Sequence, residues 1–126
     1  MIRPAMIRPA MILAALAIAA PAAAVPEELT HAQAMKRMEA CLSTGAPGAP
    51  RTGLRAAIVA LRSLCAPQIH RVRDLRLAEI DARYGLPEAE ITDAQQVERH
   101  AAHEAAERRL DDEVAFAIAN FTGLTE

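Results

Sequence analysis

The stretch CLSTGAPGAPRTGLRAAIVALRSLC, from Cys41 to Cys65, decides the fold. It holds the only two cysteines of the chain, one near the end of each of two short helical patterns. Between them, Gly45-Ala-Pro47-Gly48-Ala-Pro50 cannot continue a helix and forms a connection. Before the break, Ala34, Met35, Met38, Cys41 and Leu42 recur at three- and four-residue spacing. After it, Leu54, Ile58, Leu61, Cys65, Ile69 and Val72 make a second stripe, with Arg55 and Arg62 lying off it. Both cysteines therefore sit on faces directed at a core.

The start of the chain supplies the context for pairing them. Arg3 and Arg8 give a positive opening, and Met11 to Ala20 (MILAALAIAA) is an apolar run of signal-peptide length. Pro21 breaks it, and Ala22-Ala23-Ala24 offers small residues for cleavage after Ala24. Residues 1–24 read as a removable signal peptide, and residues 25–126 as a single small helical domain, periplasmic or secreted. The apolar run is shorter than the roughly 20 residues a membrane span needs, and no later segment qualifies. The opening Met-Ile-Arg-Pro-Ala is repeated from Met6, so either Met1 or Met6 can serve as the start.

Two cysteines in an exported protein usually pair. A bridge here closes a loop worth on the order of 3 kcal/mol in the chain-entropy model. It also restricts geometry. In a tight antiparallel hairpin Cys41 faces about residue 55, leaving Cys65 roughly 15 Å further along. A disulfide needs Cα atoms within about 7 Å. Either the cysteines stay free in the core, or the connection runs back beside the second helix and the first docks near Pro67. The second arrangement is the expected one. A redox-active pair lacks both Cys-x-x-Cys and a βαβ context.

The remaining elements follow from local chemistry. Thr30-x-x-Gln33 and Thr92-x-x-Gln95 are capping boxes, each opening a helix. The first helix runs to about Ser43. The second starts near Thr52, meets a kink or break at Pro67, continues through Leu75, Ile80 and Tyr84, and stops at Gly85. The last runs from about Asp93 to Phe121, with Val97, Ala101, Ala105, Leu110, Val114, Ala117, Ile118 and Phe121 as its apolar positions. Its stretch Glu98 to Arg109 offers only alanine as apolar surface, so it either packs very closely or stands in water. Gly123 fits the stop, with Leu124 folding back on Ile118 or Ala119. No alternating run suggests a strand. The fold class is all-α, a small bundle of about three helices with the first two stapled by one disulfide and a long C-terminal helix. One Tyr, two Phe and no Trp leave a thin, alanine-rich core.

Charge is unevenly spread. Residues 51–78 hold six Arg and one Asp, whereas residues 79–126 hold twelve acids and four Arg. The series Arg51, Arg55, Arg62, Arg71, Arg73 and Arg76 is expected to pair with the acidic last helix, in the same chain or a second copy. Nucleic acid is excluded by the acidic mature chain, its export and its lack of stacking aromatics. His100, His103, Glu104 and Glu107 fall on one face of the last helix, a donor set of the kind that ligates zinc, copper or nickel. The competing reading is a solvated polar face with a Glu104–Arg108 pair, and His31 reads as a first-turn surface residue. His103-Glu-Ala-Ala-Glu107 lacks the second His of the zincin motif. Neither a nucleophile elbow around Ser43 or Ser63 nor a phosphate loop is legible, so no catalytic residue and no cofactor is assigned.

Ala-Cys41-Leu followed by Leu-Cys65 resembles a type of small exported alanine-rich bacterial helical protein, uncharacterised in function, and implies only a stapled helical unit. Leu29-Thr30-His-Ala-Gln33 and Ile91-Thr92-Asp-Ala-Gln95 look like the LTxxQ motif of periplasmic chaperone and metal-resistance proteins, although Ile91 departs from Leu. That resemblance implies an all-helical fold, a surface that holds unfolded proteins, or a metal-sensing role for His100 and His103. The expected function is a non-enzymatic exported protein acting by contact, with itself as a homodimer or with another periplasmic protein. The alternative is a periplasmic metal-binding or chaperone-like stress protein. N-terminal sequencing of exported material is expected to give Val25; a mature N-terminus upstream of Met11 refutes the signal peptide.

Overall fold

The computed structural model describes residues 28–125, so the leader assigned to residues 1–24 lies outside the described residues. The described elements are α1 (His31–Gly45), a 3-10 turn (Ala46–Gly48), α2 (Leu54–Leu64), α3 (Ala66–Arg83) and α4 (Asp93–Thr122), all helical. Among the described residues, no helix is long and apolar enough to cross a membrane.

The helix termini follow the sequence chemistry. At α1 the Thr30 hydroxyl accepts from the Gln33 N–H at 3.2 Å, and the Gln33 side chain accepts from the Thr30 N–H at 2.9 Å. Thr92 and Gln95 repeat this at α4. Each box satisfies donors that a bare helix start leaves unpaired. Gly85 and Gly123 adopt left-handed backbone, with φ of 74° and 69°, just past the ends of α3 and α4. A side chain is strained there, which is why glycine stops both helices. Leu124 packs back on the core, as expected.

Among the described residues the bundle has four α-helices rather than about three. The long second pattern divides at Cys65, whose φ of −102° and ψ of 16° leave the helical region. Pro67 causes this. It has no N–H to give to the carbonyl four residues back, and its ring crowds the preceding turn. In the first turn of a new helix that missing donor costs nothing, and Pro67 occupies that turn of α3.

Cys41 and Cys65 are bonded, with Cα atoms 5.9 Å apart. The end of α1 lies against the end of α2: a Cβ added at Gly45 would meet Leu64 Cδ2 at 2.7 Å and Leu61 Cδ2 at 2.8 Å. Glycine is what allows this approach. The connection then returns to the start of α2 at Leu54 with its 3-10 turn against α1 and α4, burying Ala46 and Ala49 on the way. Arg51 ties it to α4 by donating to the Thr122 carbonyl at 3.3 Å. α1 runs antiparallel to α3, since Cys41 meets Cys65 while Met35 and His31 meet Arg76. α4 runs antiparallel to both α2 and α3: Arg51 meets Thr122 while Arg62 meets Asp111, and Arg76 meets Glu113 while Asp81 meets Arg99. Ala34, Met38 and Leu42 of α1, Ala57 and Leu61 of α2, Cys65, Ile69 and Val72, and Leu110, Val114 and Ile118 of α4 form one core.

The N-terminal half of α4 differs from expectation. Val97 is 70% exposed, and Ala101 and Ala105 face solvent. The inward row is instead Arg99, Ala102, His103 and Ala106, which continues the phase of Leu110 and Val114. The expected row followed the only large apolar residue of that stretch, Val97. The actual row carries two polar residues, which a hydrophobic pattern cannot show. Phe121 is likewise 43% exposed rather than covered.

Replacing Cys41 and Cys65 together by alanine is expected to lower stability by about 3 kcal/mol, through lost chain restriction. Chemical denaturation of wild type and variant, with and without reductant, measures this; a wild type insensitive to reductant overturns it.

Candidate functional site

Two places gather functional side chains. The first is polar. Asp81, in the last turn of α3, accepts from Arg99 Nε at 2.6 Å and Arg99 Nη2 at 3.1 Å. His103 Nε2 lies 2.7 Å from the same Asp81 Oδ1. Arg99 and His103 are four residues apart, so one face of α4 presents both to a single carboxylate. The hydrogen bonds from Arg99 are the main cause that holds the Asp81 carboxyl below its ordinary value of 3.8; His103 adds to it and partial burial opposes it. Arg99 is held more firmly protonated by the same contact. The three groups close the hairpin between α3 and α4.

This placement divides the four residues expected to share a donor face. His103 turns to Asp81 and is 20% exposed, whereas His100 stands in solvent with its Nε2 3.2 Å from Glu104 Oε1. Glu104 thus pairs backward with His100 rather than forward with Arg108. Glu107 is exposed. Among the described residues, no group of three or more His, Cys, Asp or Glu is arranged to hold a metal ion.

The basic series behaves in three ways. Arg62 reaches Asp111 at 2.8 Å and Arg76 reaches Glu113 at 2.6 Å, the expected pairing with the acidic last helix. Arg76 is the most covered of these guanidinium groups, 14% exposed. It also donates to His31 Nε2 at 3.0 Å and contacts Met35 Sδ at 3.5 Å, so it joins α1, α3 and α4. His31 is therefore an exposed acceptor for Arg76. Arg73 turns to its neighbour Asp74. Arg55 and Arg71 have no carboxylate within 4 Å among the described residues, and neither has Arg37 of α1.

The second place is apolar. An open groove of about 710 Å³ lies between α1 and the α2–α3 junction. Its size is in the range of small-molecule sites. Ala40, Cys41 and Gly45 form one wall, and Leu64, Pro67 and Gln68 the other. Leu64 is 61% exposed, so a large apolar side chain faces solvent at its edge. Arg37 and Arg71 line the same groove. The Gln68 Oε1 atom is buried and has no hydrogen-bond partner. Sequence reading could not find this groove, because it arises from the relative placement of two helices. The one signal was that Arg37, Leu64 and Arg71 all lie off the core stripes.

No family model, curated protein or solved structure matches the chain. Fold and site therefore define the protein only as a class: a disulfide-stapled all-α bundle with an open apolar groove beside the staple.

Asp81 makes stability pH-dependent with a definite sign. Its carboxyl is depressed in the folded protein, so the stabilisation is present above the unfolded value and is lost as pH falls through the folded value. Asp81→Asn is expected to lower the melting temperature at pH 7, with the gap to wild type closing below about pH 4. A gap that persists there overturns the assignment.

Proposed function

We propose that this is an exported, non-enzymatic binding protein, periplasmic or secreted, and that the groove between α1 and the α2–α3 junction is its binding site. One observation carries the reading. The groove is wide, mostly apolar and open, with Leu64 61% exposed at its edge. The polar clusters have structural employment. Asp81, Arg99 and His103 hold α4 to α3, and Arg76 with Glu113 and His31 joins three helices. Arg37, Leu64 and Arg71, which line the groove, have no such employment among the described residues. Export is supported by the signal-like opening of the sequence and by the bonded cysteine pair, a feature of oxidising compartments. The resemblance of the Ala-Cys41-Leu and Leu-Cys65 segments to the exported alanine-rich helical type fits this reading.

A second reading, a metal-binding or chaperone-like stress protein of the LTxxQ type, draws on the exposed His100–Glu104 pair. A site that also used His103 requires it to leave Asp81. The Thr and Gln of both LTxxQ-like segments are accounted for by their capping bonds. The groove accordingly supports the first reading better.

The uncharged dye phenylnaphthylamine, which brightens in apolar surroundings, tests it. Its fluorescence is expected to rise with the mature protein and to be lost in Ala40→Trp, which fills the groove from an exposed position. It is expected to survive in Phe116→Ala, a control on an apolar residue that is 70% exposed on α4. No rise with wild type, or loss only with Phe116→Ala, overturns the reading.

A further inference from the structure

The groove has a polarity that its volume alone does not convey. Because α1 and α3 run antiparallel from the Cys41–Cys65 bond, positions can be matched across it. Thr44 and Gly45 face Leu64 at one end. Ala40 and Cys41 lie beside Pro67 and Gln68 at the middle. Arg37, one turn before Cys41, and Arg71, one turn beyond Pro67, come last, with Leu29 beyond them. From Thr44 to Arg37 is seven residues of helix, roughly 10 Å. One end is thus lined by Leu64 with Thr44 and Gly45 opposite it, and the other by Arg37 of α1 and Arg71 of α3.

Neither guanidinium has a carboxylate within reach among the described residues. Arg62, Arg76 and Arg99 each have one. Two exposed cations without a carboxylate partner among the described residues thus stand beside an apolar channel. Guanidinium groups match carboxylates through paired, charge-assisted hydrogen bonds. Gln68, between the two ends, adds an amide whose oxygen has no partner in the wall. Its two ends are distinguished only by the bonds they make, so rotation of the amide presents a donor or an acceptor equally well.

On the reading that the groove is the binding site, we infer that its ligand is a single-chain amphiphile with a carboxylate head: an alkyl chain lying between Ala40 and Leu64, and a carboxylate between Arg37 and Arg71. A free medium-chain fatty acid has this chemistry. The apolar chain displaces water from the walls, and the single negative charge of the head offsets one of the two positive charges while leaving both arginines in solvent. No covalent step is involved.

Calorimetric titration of the mature protein with decanoate, at pH 8 and below its micelle concentration, tests this. Decanol serves as the uncharged counterpart. Decanoate is expected to bind one per chain and about tenfold more tightly than decanol, the worth of one charge-assisted contact. In Arg37→Gln/Arg71→Gln decanoate is expected to fall to the level of decanol, with decanol unchanged. Arg37→Lys/Arg71→Lys is expected to restore part of the difference. Both arginines are exposed, so an unaltered melting temperature confirms that the variants fold.

Equal binding of decanoate and decanol, or full decanoate binding in the glutamine variant, overturns the inference and leaves the groove reading intact. Failure of both ligands and of the dye removes both. Decanoate binding that persists in Ala40→Trp places the ligand elsewhere and overturns the inference. Binding to phosphatidylglycerol vesicles without binding to monomeric decanoate overturns it in favour of a membrane surface. Self-association abolished by the glutamine variant, again without decanoate binding, overturns it in favour of a second copy of the chain.

Discussion

Helix α1 meets α2 at the far end from the one a hairpin would use, and the bond between Cys41 and Cys65 holds it there. Most of the architecture follows from that constraint. The connection after Gly45 has to return the length of α2, so it is long, rich in proline and partly buried through Ala46 and Ala49. α1 then lies along α3 rather than α2. The space between α1 and the α2–α3 junction becomes the groove, with Cys41 in its wall. A hairpin pairing would bring α1 alongside the start of α2 instead.

Small residues make this packing possible and limit it. Gly45 lets the backbone of α1 come within van der Waals reach of Leu61 and Leu64, and Ala34 and Ala57 are almost wholly buried. Close approach of this kind buries little area per residue. Ion pairs orient helices more than they stabilise them. Here they supply the orientation that a thin core leaves loose. Arg62 and Arg76 fix α4 against α2 and α3, and Asp81 collects two residues of α4 at the far end.

Features set by neighbouring residues were legible in the sequence, and features set by distant ones were not. Thr30, Gln33, Thr92 and Gln95 announced the helix starts because a capping box is complete within four residues. Gly85 and Gly123 announced the stops for the same reason. The spacing of the cysteines even excluded one packing of α1. Pro67 was ambiguous, since the same missing N–H kinks a helix or begins a new one. The inward face of α4 between Val97 and Ala106 was misread because its true members, Arg99 and His103, are placed by Asp81, some twenty residues earlier. Alanine on every face gave no contrary signal. The groove was invisible because Arg37, Leu64 and Arg71 acquire a common environment only once α1 is docked.

The uneven company of α4 has a consequence for how the molecule breathes. Its C-terminal half packs into the shared core around Val114 and Ile118, whereas in its N-terminal half no residue from Asp93 to Arg109 is fully buried and Arg99 and His103 reach Asp81 near the end of α3. The backbone hydrogen bonds are the same along all 30 residues, but the cost of opening them is not. Amide protons near Ile118 are expected to be the better protected, and those near Val97 to exchange through opening of the arm that precedes Leu110. Protection along a single unbroken helix is thus expected to change where its inward row passes from arginine and histidine to leucine.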